Sequence, residues 1–173
     1  MTDPYPYMIE PLASQHDRTA FSCGVEALDR YLKQQAGQET RRRVAACFVA
    51  VRTVDKTIGG YSTLSATSIL LKDLPENVAR KLPRYPEVPA ALIGRLAVDL
   101  RHRSQGLGEH LMLDAMSRTL QADIAAAILL VDAKNEQAAS FYRRYGFLGL
   151  ASLPRRLYLP VSEIAKTFTA AKR

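Results

Sequence analysis

The residues best placed to do chemistry lie between Gly94 and Gly108, in the run GRLAVDLRHRSQGLG. This segment reads as a strand, Ala90 to Asp99, feeding a short basic turn that opens an amphipathic helix. Gly106 and Gly108 let backbone N–H groups approach a phosphate with no Cβ in the way, and the helix N-terminus adds the positive end of its dipole. Arg101 and Arg103 bring full positive charges beside it. The turn is therefore predicted to cradle a pyrophosphate. A dinucleotide fold would instead place G-x-G-x-x-G directly after the strand, with an acidic residue about 20 positions on. A P-loop would end on Gly-Lys, a pair the chain lacks.

A second stretch, Asn135-Glu136-Gln137-Ala138-Ala139-Ser140-Phe141-Tyr142-Arg143-Arg144-Tyr145-Gly146-Phe147, has the punctuation of a short helix. Asn135 is its predicted cap and Gly146 its predicted stop. Ala138, Phe141 and Tyr145 fall at i, i+3 and i+7, which predicts a core face, and Tyr142 lies off that stripe.

The two stretches together resemble the GNAT acyltransferases. Arg103, Gly106 and Gly108 match motif A, R/Q-x-x-G-x-G/A, with Ser104 where the family often has another glycine. The N-x-x-A-x-x-F-Y-x-x-x-G-F pattern of residues 135–147 is similar to motif B. The resemblance implies an α/β fold: a single GNAT-like domain over residues 1–173, its central mixed, mostly antiparallel sheet flanked by helices, with a splayed strand pair holding acetyl-CoA. It also implies cofactor contacts from Leu96, Ala97, Val98, Arg103, Ser104, Gln105, Gly106, Leu107, Gly108, Asn135 and Phe141. Strands splayed after a bulge near Leu96–Val98 would free backbone groups for the pantetheine arm, with the Val98 N–H stabilising the oxyanion. Tyr142 is implied as the catalytic general acid, since a phenol of pKa about 10 keeps its proton at neutral pH. No residue stands out as a general base: His16, His102 and His110 are scattered, and His102 is expected at the surface.

The acceptor is addressed by the N-terminal half. Phe21-Ser22-Cys23-Gly24-Val25-Glu26-Ala27-Leu28-Asp29-Arg30-Tyr31-Leu32 resembles the F-x-C-G-x-x-x-L-D-x-Y/F-L opening of the GNAT-type toxins of bacterial toxin–antitoxin pairs. Arg41, Arg42 and Arg43 follow, then the strand from Val44. The resemblance implies acetylation of the α-amino group of an aminoacyl-tRNA, a ribbon-helix-helix antitoxin as partner, and a homodimer. Arg41–Arg43 is the first choice for RNA contact, although cations at a helix end also complement its dipole. A protein N-terminus or small-molecule amine is the alternative acceptor, and a silent cofactor-fold scaffold is a third reading that the presence of Tyr142 disfavours.

Composition bounds these readings. At 47% hydrophobic content the chain suits one compact domain with a real core. Its 24 Lys+Arg against 17 Asp+Glu, a net +7, is compatible with an acidic cofactor or a nucleic acid. Cys23 and Cys47 offer neither metal spacing nor a disulfide framework, so no metal is expected and Cys23 is predicted to pack as a small apolar residue. The N-terminus lacks the pattern of a signal peptide, and no run approaches the roughly 18 apolar residues of a membrane span. A cytoplasmic setting is the expectation.

The elements that must position these groups follow from periodicity. Strands are expected at Tyr7–Leu12, Val44–Val51, Ile58–Leu71, Ala90–Asp99 and Ala125–Val131, with a closing hairpin from Phe147–Leu150 and Arg156–Leu159. Helices are expected within Phe21–Gln38, around Glu76–Leu82, from Leu107 to Leu120, and over Glu136–Tyr145. Residues 162–173 are left open between a packed helix and a tail.

Overall fold

A computed structural model describes residues 5–171. Seven strands form one mixed sheet in the order β1-β2-β3-β4-β5-β7-β6, the architecture the motifs implied. Two compact units make up the chain: residues to Ser65 with Gly94–Ala115, and Ala66–Ile93 with Met116 onward.

In the first unit, β1 (Tyr7–Pro11) lies antiparallel to β2 (Ala46–Arg52), from Tyr7↔Arg52 to Pro11↔Phe48. β2 lies antiparallel to β3 (Ile58–Leu70), and the register shifts between Ala50 and Val51. Gly59 and Gly60 open β3 because of close approach. A Cβ at Gly59 would stand 2.7 Å from the Tyr7 ring, and one at Gly60 would stand 2.8 Å from the Ala97 carbonyl. Phe21, Cys23, Tyr31, Leu32, Val49 and Tyr61 form one core, and Tyr7, Ala50, Leu107 and Leu111 a second. Each fully buried large apolar side chain contributes about 1.5–3 kcal/mol by transfer from water.

The helix predicted within Phe21–Gln38 starts and ends later than its apolar stripe. It comprises α1 (Glu26–Arg30), a π-helical turn (Tyr31–Gln35) and α2 (Ala36–Arg41). Gly24 precedes it at φ +90°. At its end the Arg43 N–H donates to the Thr40 carbonyl and the Val44 N–H to the Glu39 carbonyl, with Arg43 left-handed at φ 60°. Val44, read as strand, is an exposed residue of this closing turn.

β4 spans Glu87–Val98, and its stretch within the second unit pairs parallel with β5 (Ile128–Asp132) from Ala90↔Ile128 to Ile93↔Val131. β7 (Arg156–Pro160) lies antiparallel to β5, and the two-residue β6 (Leu148–Gly149) pairs with β7 as the predicted hairpin. The remaining helices are α3 (Glu76–Ala79), α4 (Leu107–Gln121), α5 (Glu136–Arg143) and α6 (Val161–Ala171). The last settles the open C-terminal segment as a helix, with Ile164 buried; residues 172 and 173 lie outside the described residues.

Candidate active site

The basic turn is held from behind. Asp99, fully buried at the end of β4, accepts hydrogen bonds from the Ser22 amide (3.0 Å), the Arg101 amide (2.8 Å) and the Arg101 guanidinium through both carboxylate oxygens (3.0 Å each). Burial alone would raise its pKa, but these donors outweigh that effect and hold the carboxyl down at about 2. The Leu100 amide donates to the Ser22 carbonyl, and Arg103 Nη2 donates to the Cys23 carbonyl at 2.9 Å. The F-x-C-G segment is therefore the brace of the turn. Phe21 and Cys23 are buried, Gly24 reverses the chain at positive φ, and the Asp29 carboxylate takes the Cys23 amide at 2.8 Å.

A second brace comes from β1. The Tyr7 hydroxyl lies 2.6 Å from His102 Nδ1 and donates to Gln105 Oε1 at 3.1 Å. The Tyr7 hydroxyl thus bridges the imidazole of His102 and the side chain of Gln105. His102, expected at the surface, is only 2% exposed. Burial, then the positive charge of Arg52, pushes its pKa below the ordinary value. The sequence signal was misleading because His102 sits among exposed basic neighbours, and only the fold brings Tyr7 to it. Tyr7 and Asp99, absent from the sequence-derived site, are the residues that spacing could not reveal.

Within the turn, Ser104 has φ 63° and Gly106 φ 75°. Ser104 thus adopts the conformation for which a glycine is the easier residue. A Cβ built on Gly106 meets nothing within 4 Å. The His110 amide makes the first bond of α4, to the Gly106 carbonyl, so the amides of Leu107, Gly108 and Glu109 have no acceptor inside the helix. Ser104, Gln105 and Gly106 are exposed and Gly108 is half-buried. The turn thus has an exposed front and a fixed back, a shape that could take an anion. Leu107 points into the core, leaving only its backbone for a ligand. Leu96 and Val98 are half-buried against that same core and Ala97 is buried.

In the second unit, Asn135 caps α5, its side chain accepting from the Ala138 amide at 2.8 Å. The predicted core face of this helix is corrected. Ala139 and Tyr142 are the buried residues, while Ala138, Phe141 and Tyr145 are half-buried. Phe147, just past the helix, packs on the Tyr142 ring and so draws that side of α5 inward. The Tyr142 ring packs edge-on against Phe141 (5.2 Å) and Phe147 (5.6 Å). Burial raises the pKa of its phenol, and among the described residues its hydroxyl has no hydrogen-bond partner. A proton is thus held on Tyr142 Oη and remains available to a ligand.

Arg41, Arg42 and Arg43 are all exposed, at the C-terminal end of α2. Among the described residues no group of three or more His, Cys, Asp or Glu could hold a metal ion, and no helix is long and apolar enough to cross a membrane.

A strand running into a glycine-containing turn and a helix, on a mixed sheet, is the arrangement the acyltransferase resemblance implied. The chain belongs to the acetyltransferase (GNAT) family, whose model matches residues 15–147. It is 32% identical over 167 residues to a probable toxin TacT of Sinorhizobium fredii, covering 91% of this chain and 92% of that protein. It is 36% identical over 138 residues to a tRNA-acetylating toxin of Mycobacterium tuberculosis, covering 79% and 81%. Among solved structures it is similar to AtaT complexed with acetyl-methionyl-tRNAfMet, at TM-score 0.87 and 29% identity, covering 94% of this chain and 99% of that one. It is also similar to a mutant AtaT toxin bound to the C-terminus of the antitoxin AtaR and acetyl-CoA, at TM-score 0.80 and 26% identity, covering 95% and 99%.

Proposed function

We propose that this chain acts as one catalytic domain over residues 1–173, transferring acetyl from acetyl-CoA to the α-amino group of an aminoacyl-tRNA and so stopping translation. The observation that carries the cofactor half is the turn itself: left-handed Ser104 and Gly106, open space over Gly106, and amides at the start of α4 that have no acceptor within the helix. These features fit a pyrophosphate. The acceptor half is supported by the tRNA-acetylating relative, the tRNA-bound neighbour and the exposed Arg41–Arg43 run.

Acetyl-CoA supplies the acetyl group as a thioester. The amides of residues 106–109, with Arg103 exchanging its Cys23 carbonyl for phosphate oxygen, hold the pyrophosphate. The backbone of Leu96, Ala97 and Val98 orients the pantetheine arm, and the Val98 N–H donates to the carbonyl oxygen as charge develops there. Gln105, fixed by Tyr7, keeps the turn in register, while Asn135 and Phe141 contribute from α5. The amine nitrogen forms its bond to the acetyl carbon, the carbon–sulfur bond breaks, and Tyr142 Oη delivers a proton to the departing sulfur. The proton lost by the amine passes to solvent. An α-amine, with a pKa of about 8 or below, is partly neutral at cytoplasmic pH and attacks without a dedicated base.

The same reading makes the protein a cytoplasmic, homodimeric toxin silenced by a ribbon-helix-helix antitoxin; the antitoxin-bound neighbour supports such a partner. Cell-free translation tests the reading. The protein with acetyl-CoA should stop reporter synthesis. Tyr142→Phe should bind the cofactor within about twofold of the original affinity yet lose on the order of 100-fold in rate. Arrest that persists without acetyl-CoA would contradict it.

A further inference from the structure

Arg18 and Arg41 meet over Gly37. Arg18 is half-buried on the loop between β1 and α1, and its Nη1 donates to the Leu32 carbonyl at 3.0 Å, inside the π-helical turn. Arg41, at the end of α2, does not reach forward to the helix's terminal carbonyls. Its side chain lies back over the preceding turn, the direction helical side chains favour. A Cβ built on Gly37 has as its nearest neighbours Arg41 Nη1 at 3.4 Å and Arg18 Nη1 and Nη2 at 3.5 and 3.9 Å. Both guanidinium groups therefore come close to the same position on the helix backbone.

No conformational need accounts for this glycine. Gly37 lies inside α2 with its φ outside the left-handed range, where any other residue except proline would strengthen the helix. Nor is either cation neutralised: among the described residues neither Arg18 nor Arg41 has a carboxylate partner. The nearby acids are occupied. Asp17 holds the Thr19 amide and hydroxyl, and Glu39 accepts from the Tyr31 hydroxyl at 2.7 Å. Two like charges held close together beside a bare stretch of helix, with no carboxylate among the described residues to neutralise either, suit a tetrahedral anion. Its oxygens would take one donor from each fork.

We infer that Arg18 and Arg41 bind one phosphodiester of the RNA backbone on the floor formed by Gly37. The inference rests on the proposed RNA acceptor, and it adds a defined contact to the general attraction of Arg41–Arg43. The coenzyme's own 3′-phosphate carries the same chemistry, so the test separates the two sources.

Gly37→Glu places a carboxylate between the forks and exchanges glycine for a better helix former, while Gly37→Gln is the neutral control. Gly37→Glu should melt no lower than the original protein. It should raise the KM for charged tRNA by about tenfold and flatten the log–log salt dependence of tRNA binding by about one unit, the share of one phosphate. Gly37→Gln should stay within about threefold of the original KM. The ratio of affinities for coenzyme A and its 3′-dephospho form should be equal in all three proteins. A Gly37→Glu protein with unaltered KM and salt slope overturns the site. A changed coenzyme ratio, or weakened antitoxin binding with tRNA binding intact, assigns it to another ligand and equally overturns it. If the original protein leaves charged tRNA unacetylated, the functional reading itself fails, a result distinguishable from either.

Discussion

Tyr142 and Tyr7 are both largely buried tyrosines, and what separates them is the partner of the hydroxyl. Tyr142 has none among the described residues, which is what a proton donor to a bound ligand requires; Tyr7 is committed to His102 and Gln105. Tyr7→Phe removes both bonds and leaves the buried His102 Nδ1 short of a partner, at a cost of about 1–3 kcal/mol in stability. Because Gln105 belongs to the turn, the variant should also raise the KM for acetyl-CoA several-fold with kcat little changed. Calorimetry and initial rates would check the pair, and a drop in kcat alone would contradict the positioning role. At this scale the sequence was informative where chemistry follows from residue type and spacing. Gly106 and Asn135 stand in the local structures their motifs predict, and Ser104 adopts the left-handed conformation that suits glycine there. It was silent where a partner is distant in the chain: Tyr7 lies 95 residues from His102 and Ser22 lies 77 from Asp99.

Among elements, the junction of β4 with the turn concentrates the electrostatics. Asp99 has its pKa lowered from 3.8 to about 2, so its contribution to stability is complete above about pH 4 and is lost as pH falls toward 2. A shift of that size corresponds to about 2 kcal/mol. Urea unfolding should show this acid-side loss, and Asp99→Asn should flatten it while destabilising the protein at pH 7. An unchanged acid limb in the variant would remove Asp99 from the account. His102 has the same sign: its pKa is lowered in the folded state, so its stabilisation also fades as pH drops below the ordinary histidine range. Strands and the long α4 were legible because their apolar periods are long and unbroken. The α1–π–α2 helix was blurred, since a π turn shifts the buried face partway along. The eight-residue α5 misled because its buried side carries Ala139 and Tyr142, the latter packed on Phe147 beyond the helix, and not its own apolar stripe.

For the molecule as a whole, the net charge of +7 and its exposed arginines favour a polyanionic partner through a sequence-independent attraction that must weaken with salt. The family and the reaction class were readable from two motifs because backbone geometry and acid chemistry restrict which residues can stand there. The identity of the acceptor amino acid depends on pocket shape and distributed contacts, for which no local pattern exists. The central claim is tested most directly by following labelled acetyl from acetyl-CoA into total charged tRNA, with deacylated tRNA and a protein lysate as parallel acceptors. Label should enter charged tRNA alone and leave with the amino acid on mild alkaline deacylation. Label in protein, with charged tRNA unmarked, would contradict the account.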